Sequence, residues 1–180
     1  VIAKFMDASR ESAATSEAAL KRALELDPRL SLAHKYYAAL EADTGQARAG
    51  LVRLLGEAAR HGNDPELFAG LVHACRYCGL LEQSIAAHEE ARRLDRNVPT
   101  SIEGTILMTG DVERLLQIER PKGSAGSDSV LRVIGLGLAG RREEALASLT
   151  EHRKTAQLST FQAYADSLES WLRRKPKELL

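Results

Sequence analysis

The sequence predicts an all-α fold built from repeated helical hairpins, on three observations. The 180 residues contain 27 Ala and 27 Leu but only 13 Val and Ile together, a bias toward helix formers and away from the β-branched residues that sheets favour. Apolar residues recur at three- and four-residue steps, as the buried stripe of a helix requires. Glycine also returns at a fixed interval, since Gly45 and Gly79 stand 34 residues apart and Gly140 has a similar setting.

The hairpins follow one another along the chain. The first, residues 1–30, ends at Ala23-Leu-Glu-Leu-Asp27-Pro28, where a proline biases the residue before it away from helix. The second, 31–64, turns at Gly45 and carries Gly50 five residues on; the third, 65–98, turns at Gly79 and carries Ser84 at the same offset. In that third hairpin Leu81, Ser84, Ile85, His88, Ala91 and Leu94 share one helical stripe, and Ala91 follows Ala23 by 68 residues, twice 34. The fourth, 99–122, reaches its turn at Gly110-Asp111 about three residues early, and Pro121 to Asp128 reads as a loop. The fifth, 129–158, has a short first helix over Leu131–Leu138, its turn at Gly140 and Ala145 five residues later. A partial sixth, 159–180, offers a first helix over Phe161–Leu172 and the start of its partner at Pro176–Leu180.

The small residues Ser16, Gly50, Ser84 and Ala145 are expected where two helices approach most closely, and larger side chains there would overpack by roughly 1–3 kcal/mol. Gly45, Gly79 and Gly140 are expected to end helices in the left-handed conformation that a Cβ disfavours.

Interval, turn glycine, small residues and Asp27-Pro28 together resemble the tetratricopeptide repeat, a 34-residue helix-turn-helix unit. The resemblance spans essentially the whole chain and departs at Glu57, where the family prefers Ala. It implies a right-handed superhelical solenoid whose first helices line a concave groove, and hence a non-catalytic scaffold that binds a peptide or helix of a protein partner. In that register Lys35, Asp43, His73, Arg76 and Tyr77 face the groove, with Ala39 and Ala42 beside them. Arg76 and Tyr77, exposed together, would suit partner binding through their large contact area and polar ends. Lys35 matches part of the carboxylate clamp of the family's chaperone-tail receptors, but Ala39 stands where that clamp has Asn, so this ligand class is not expected. Residues 79–99 and 161–180 are also similar to tetratricopeptide tails of bacterial signalling proteins such as serine/threonine kinases and nucleotide cyclases, which implies a regulatory segment of a larger protein.

Composition narrows the partners. With 25 basic and 25 acidic residues and a pI near 7.1, the chain carries no global field for nucleic acid or an anionic membrane. No apolar run approaches the roughly 20 residues of a membrane helix, and two cysteines make no disulfide framework. A cytoplasmic location is expected. Val1 enters partway through a first helix in the family register and the chain stops within a hairpin, so it reads as a segment whose Trp171 and Leu179 end is covered by further repeats or by self-association.

Two motifs invite chemistry. Gly135-Leu-Gly137-Leu-Ala-Gly140 is a literal G-x-G-x-x-G, which in a dinucleotide-binding fold would cradle a pyrophosphate and make the chain a nucleotide-dependent enzyme. That reading needs a strand before the glycines and further strands after, and the flanks are helical in pattern, so we expect helix-contact and turn glycines and no cofactor. Cys75-Arg-Tyr-Cys78 beside His73 suggests zinc or thiol chemistry. With His73 at 0°, a helix places Cys75 at about 200° and Cys78 at about 140°, so the imidazole and thiols diverge and no metal is expected. On the same wheel Arg76 and Tyr77 flank His73. His34, His61, His73, His88 and His152 are scattered, with His34 and His88 on core-facing positions, and Arg92-Arg93 and Arg141–Glu144 read as solvated faces.

Overall fold

The structure is a computed structural model that describes residues 10–118, 128–155 and 159–174. Among these residues it is all-helical: α1 (Arg10–Leu26), α2 (Ser31–Asp43), α3 (Ala47–Arg60), α4 (Pro65–Tyr77), α5 (Leu81–Leu94), α6 (Ile102–Thr109), α7 (Val112–Gln117), α8 (Asp128–Leu138), α9 (Arg142–Thr155) and α10 (Ser159–Arg173). The expectations for Val1 and for Pro176–Leu180 lie outside the described residues. So does the Pro121–Asp128 loop, except that Asp128 is the first residue of α8. The chain divides into two compact units, residues 1–105 and 106–180.

Local chemistry sets the helix ends. Asp64 caps α4 by accepting from the Glu66 amide at 2.9 Å, with Pro65 in the first turn, where its missing N–H costs nothing. Asp111 caps α7 by accepting from the Arg114 amide at 3.0 Å. Gly45, Gly79, Gly110 and Gly140 turn the chain with φ of 86°, 76°, 78° and 76°. Three of these turns share one hydrogen-bond pattern. The amides of Gln46, Leu80 and Arg141 donate five residues back to the carbonyls of Glu41, Cys75 and Leu136 at 2.6, 2.9 and 2.9 Å. Each glycine amide donates three residues back, to Ala42, Arg76 and Gly137. This is the Schellman arrangement, which satisfies carbonyls that a helix end leaves open.

A Cβ on Gly79 would meet nothing within 4 Å, so a substitution there tests the backbone alone. Gly79→Val is expected to cost at least about 1–2 kcal/mol, the penalty of a side chain at positive φ. Ala87 would be the wrong control for this, because it is buried against its neighbours. The exposed Ala86 is the suitable one, and Ala86→Val should stay within roughly 0.5 kcal/mol. Equal urea midpoints for the two variants would refute the strained-turn account.

The core of the first unit is layered between successive helices. Gly50 of α3 lies against the α2 backbone, so close that a Cβ would sit 2.9 Å from the Ala38 carbonyl oxygen. Leu54, Leu67, Val72 and Ala74 are fully enclosed. Ser84 of α5, also fully enclosed, donates to the Val72 carbonyl at 2.6 Å, which leaves its oxygen to accept from Thr105 Oγ1 at 2.8 Å. In the second unit Val133, Leu136, Ala145, Leu149, Ala165 and Leu172 form a core, with Trp171 packed on it.

Candidate partner-binding surface

The five residues that the sequence places on a groove come from α2 and α4; the structure links Asp43, His73, Arg76 and Tyr77 into a polar strip and engages Lys35 separately. Near the start of α4, Lys35 Nζ donates to Glu66 Oε2 at 2.6 Å and reaches the Pro99 carbonyl at 3.4 Å. Toward the ends of the helices, His73 Nε2 lies 3.7 Å from Asp43 Oδ1. On its other side His73 Nδ1 lies 2.9 Å from Arg76 Nη2. Tyr77 closes the strip, its ring stacked on His73 at 4.6 Å between centroids with a 30° tilt.

Arg76 departs from expectation. Its guanidinium turns toward the approach to α6 and is half-buried: Nη1 donates to the Ser101 carbonyl at 2.6 Å, to Ser101 Oγ at 3.1 Å and to Thr105 Oγ1 at 3.4 Å. Burial holds it below the usual arginine value, while Tyr77 and Glu103 act in the opposite direction. Arg76 therefore joins α4 to the start of α6 and is not offered with Tyr77 as a free contact. Tyr77, half-exposed at 50%, and Tyr36 on α2, at 38%, are aromatic side chains that reach solvent in this region, and Leu32 on α2 is exposed as well. The sequence reading missed Tyr36.

A polar cluster between α1, α2 and α3 was also missed. Glu41 is buried, pairs with Arg53, and lies on the buried side of a helix whose other buried residues are Ala33, His34, Tyr37, Ala38, Leu40 and Ala42. The Arg53 guanidinium lies 4.1 Å over the Tyr37 ring, and the Tyr37 hydroxyl donates to Glu17 Oε1 at 3.1 Å. An acid inside an apolar stripe, with an arginine on the next helix, was the available signal. A cleft of about 260 Å³ opens beside this cluster, lined by Glu17, Tyr37, Glu41, Thr44 and Gln46 among others. Its two carboxylates are already engaged, by Lys21 and Arg53.

The glycines of the G-x-G-x-x-G motif serve helix packing. Gly135 and Gly137 lie inside α8, and no strand precedes them among the described residues. A Cβ on Gly135 would sit 2.7 Å from Leu115 Cδ2, and one on Gly137 would sit 2.4 Å from two Trp171 ring carbons. Leu115 and Trp171 side chains fill the space beside these two glycines, and Gly140 is the turn. Cys75 is buried and Cys78 half-buried, both as free thiols; burial pushes the Cys75 thiol up, away from the reactive thiolate. Buried His34 bonds through Nε2 to the Pro28 carbonyl at 2.8 Å, and half-buried His88 bonds through Nδ1 to Thr100 Oγ1 at 2.8 Å. Among the described residues no group of three or more His, Cys, Asp or Glu is placed to hold a metal ion, and no helix is long and apolar enough to cross a membrane.

Comparisons with protein-family models, with curated proteins and with solved structures found no match to this chain.

Proposed function

We propose that the chain is a segment of a tetratricopeptide-like solenoid that binds an extended peptide or helix of a protein partner on the surface formed by α2 and α4. The observation that carries this reading is the strip from Asp43 through His73 and Arg76 to Tyr77, with Lys35 on the same two helices nearer the start of α4. Asp43, His73 and Arg76 are held by one another and by the approach to α6, and Lys35 by Glu66, while Tyr36 and Tyr77 remain open to contact. Such preorganisation reduces the ordering cost that a partner would meet, and aromatic side chains supply contact area with few rotamers to freeze. The 34-residue recurrence supports the repeat: α2 and α4 begin at Ser31 and Pro65, and α3 and α5 begin at Ala47 and Leu81. A cytoplasmic place within a larger bacterial signalling protein, with no catalysis by this segment, belongs to the same proposal.

The test is capture of partners from lysate on the immobilised chain, followed by Tyr36→Ala/Tyr77→Ala. Arg76 is kept in place because it ties α4 to α6. Loss of a captured protein with the tyrosine pair, and its retention with Val52→Ala/Leu55→Ala on the exposed side of α3, supports the surface. The reverse pattern overturns it and favours a scaffold that uses another face. Removing two half-exposed tyrosines is expected to weaken binding roughly 30-fold or more, at about 1 kcal/mol or more for each aromatic contact.

A further inference from the structure

We propose that His73 is a proton-operated latch on the α4–α6 contact. A guanidinium has donors and no acceptor, so the 2.9 Å contact from Arg76 Nη2 requires a lone pair on His73 Nδ1. The ring proton then sits on Nε2, which lies 3.7 Å from Asp43 Oδ1. In this neutral form His73 holds one arm of Arg76 while the other arm grips the Ser101 carbonyl, Ser101 Oγ and Thr105 Oγ1.

A proton taken from solvent can enter only at Nδ1. It converts the acceptor into a donor, so two N–H groups and two positive charges face each other where the hydrogen bond was. The imidazolium is drawn toward Asp43, and Arg76 loses its orienting partner. Asp43 faces the imidazole from α2, Glu103 on α6 attracts Arg76, and the Tyr77 ring offers its π-face from the same helix. Lys35 is engaged with Glu66 nearer the start of α4. On their contacts with α4, α3 presents Leu54 to Gly70 and α5 presents Ser84 to the Val72 carbonyl. His73 keeps about a fifth of its side chain exposed, so protons reach it. Imidazole changes charge within the physiological range, which makes the latch closed at neutral pH and released in acid.

Nitrogen-15 NMR of the native chain reads both ends of the relay without any partner present, so its failure is separable from failure of the groove proposal. At pH 7.5 His73 is expected as the Nε2–H tautomer, with hindered rotation of the Arg76 guanidinium. As His73 protonates, that rotation should quicken about tenfold, the equivalent of one charge-assisted hydrogen bond. His73→Gln, which can accept from Arg76 but cannot titrate, should leave Arg76 rotation independent of pH. Asp43→Asn should move the transition to lower pH. A proton on Nδ1 at pH 7.5, titration of His73 with no change at Arg76, or an unchanged acid response in His73→Gln would each overturn the latch. The first two are read on the native chain and do not depend on a variant folding.

Discussion

Gly50→Val is expected to destabilise the first unit by about 3 kcal/mol, whereas alanine at Gly56, six residues later on the same helix, is expected to stabilise it. The obstacle at Gly50 is main chain: a Cβ would stand 2.9 Å from the Ala38 carbonyl oxygen and 3.0 Å from Ala38 Cα, and no rotamer change removes backbone. Helix α2 would have to move away from α3, with a loss in the upper range of core overpacking. At Gly56 a Cβ meets nothing within 4 Å, and the residue lies in the interior of a helix at ordinary φ. There alanine restricts the unfolded chain and should add about 0.5–1 kcal/mol. Gly50→Ala is the sharper form of the test, since the same propensity gain of roughly 1 kcal/mol opposes the clash and the net change should still be a loss. Urea denaturation of the three variants decides it. A stabilised Gly50→Ala would show that α2 and α3 are not held at the separation described.

What could be read from the sequence was what a hairpin fixes by its own geometry. Once a glycine sets the turn, the residue five positions on lies where the second helix crosses the first, and Gly50, Ser84 and Ala145 are all buried there. The fourth hairpin keeps the offset and changes the residue: Leu115, five after Gly110, is buried. Its bulk is accommodated by Gly135 on α8, where a Cβ would be 2.7 Å from the leucine methyl. Local pattern gives each position and cannot show that a large residue on one helix is paired with an absent side chain on another. Arg76 was misjudged for a related reason. A helical wheel gives the azimuth of a side chain, and burial depends on what the next segment lays across it, here Ser101 and Thr105. Glu41 and Arg53 were passed over because each, taken alone, looks like an ordinary surface charge; only their meeting between α2 and α3 explains an acid on an apolar face.

The pairing of bulk with absence recurs between α3 and α4, where it predicts the second large effect. Leu54 is completely enclosed, and its methyls occupy the space that a side chain on Gly70 would claim: a Cβ there would lie 3.0 Å from Leu54 Cδ1 and 3.3 Å from Cδ2. Leu54→Ala removes those methyls from the centre of the unit and should cost roughly 2–5 kcal/mol, depending on how far α3 and α4 collapse. Gly70→Ala alone gains about 1 kcal/mol of helix propensity and sets it against the leucine, for a net loss. In the double variant the new methyl enters the vacated space and the propensity gain is realised without the clash. The combined loss should therefore fall short of the sum of the single losses by about 1–2 kcal/mol, within the range measured for residues in contact. Simple additivity in a denaturation cycle would mean that Leu54 and Gly70 do not share that space. A loss greater than the sum would mean that α4 is held against α3 by its backbone and not by this side chain.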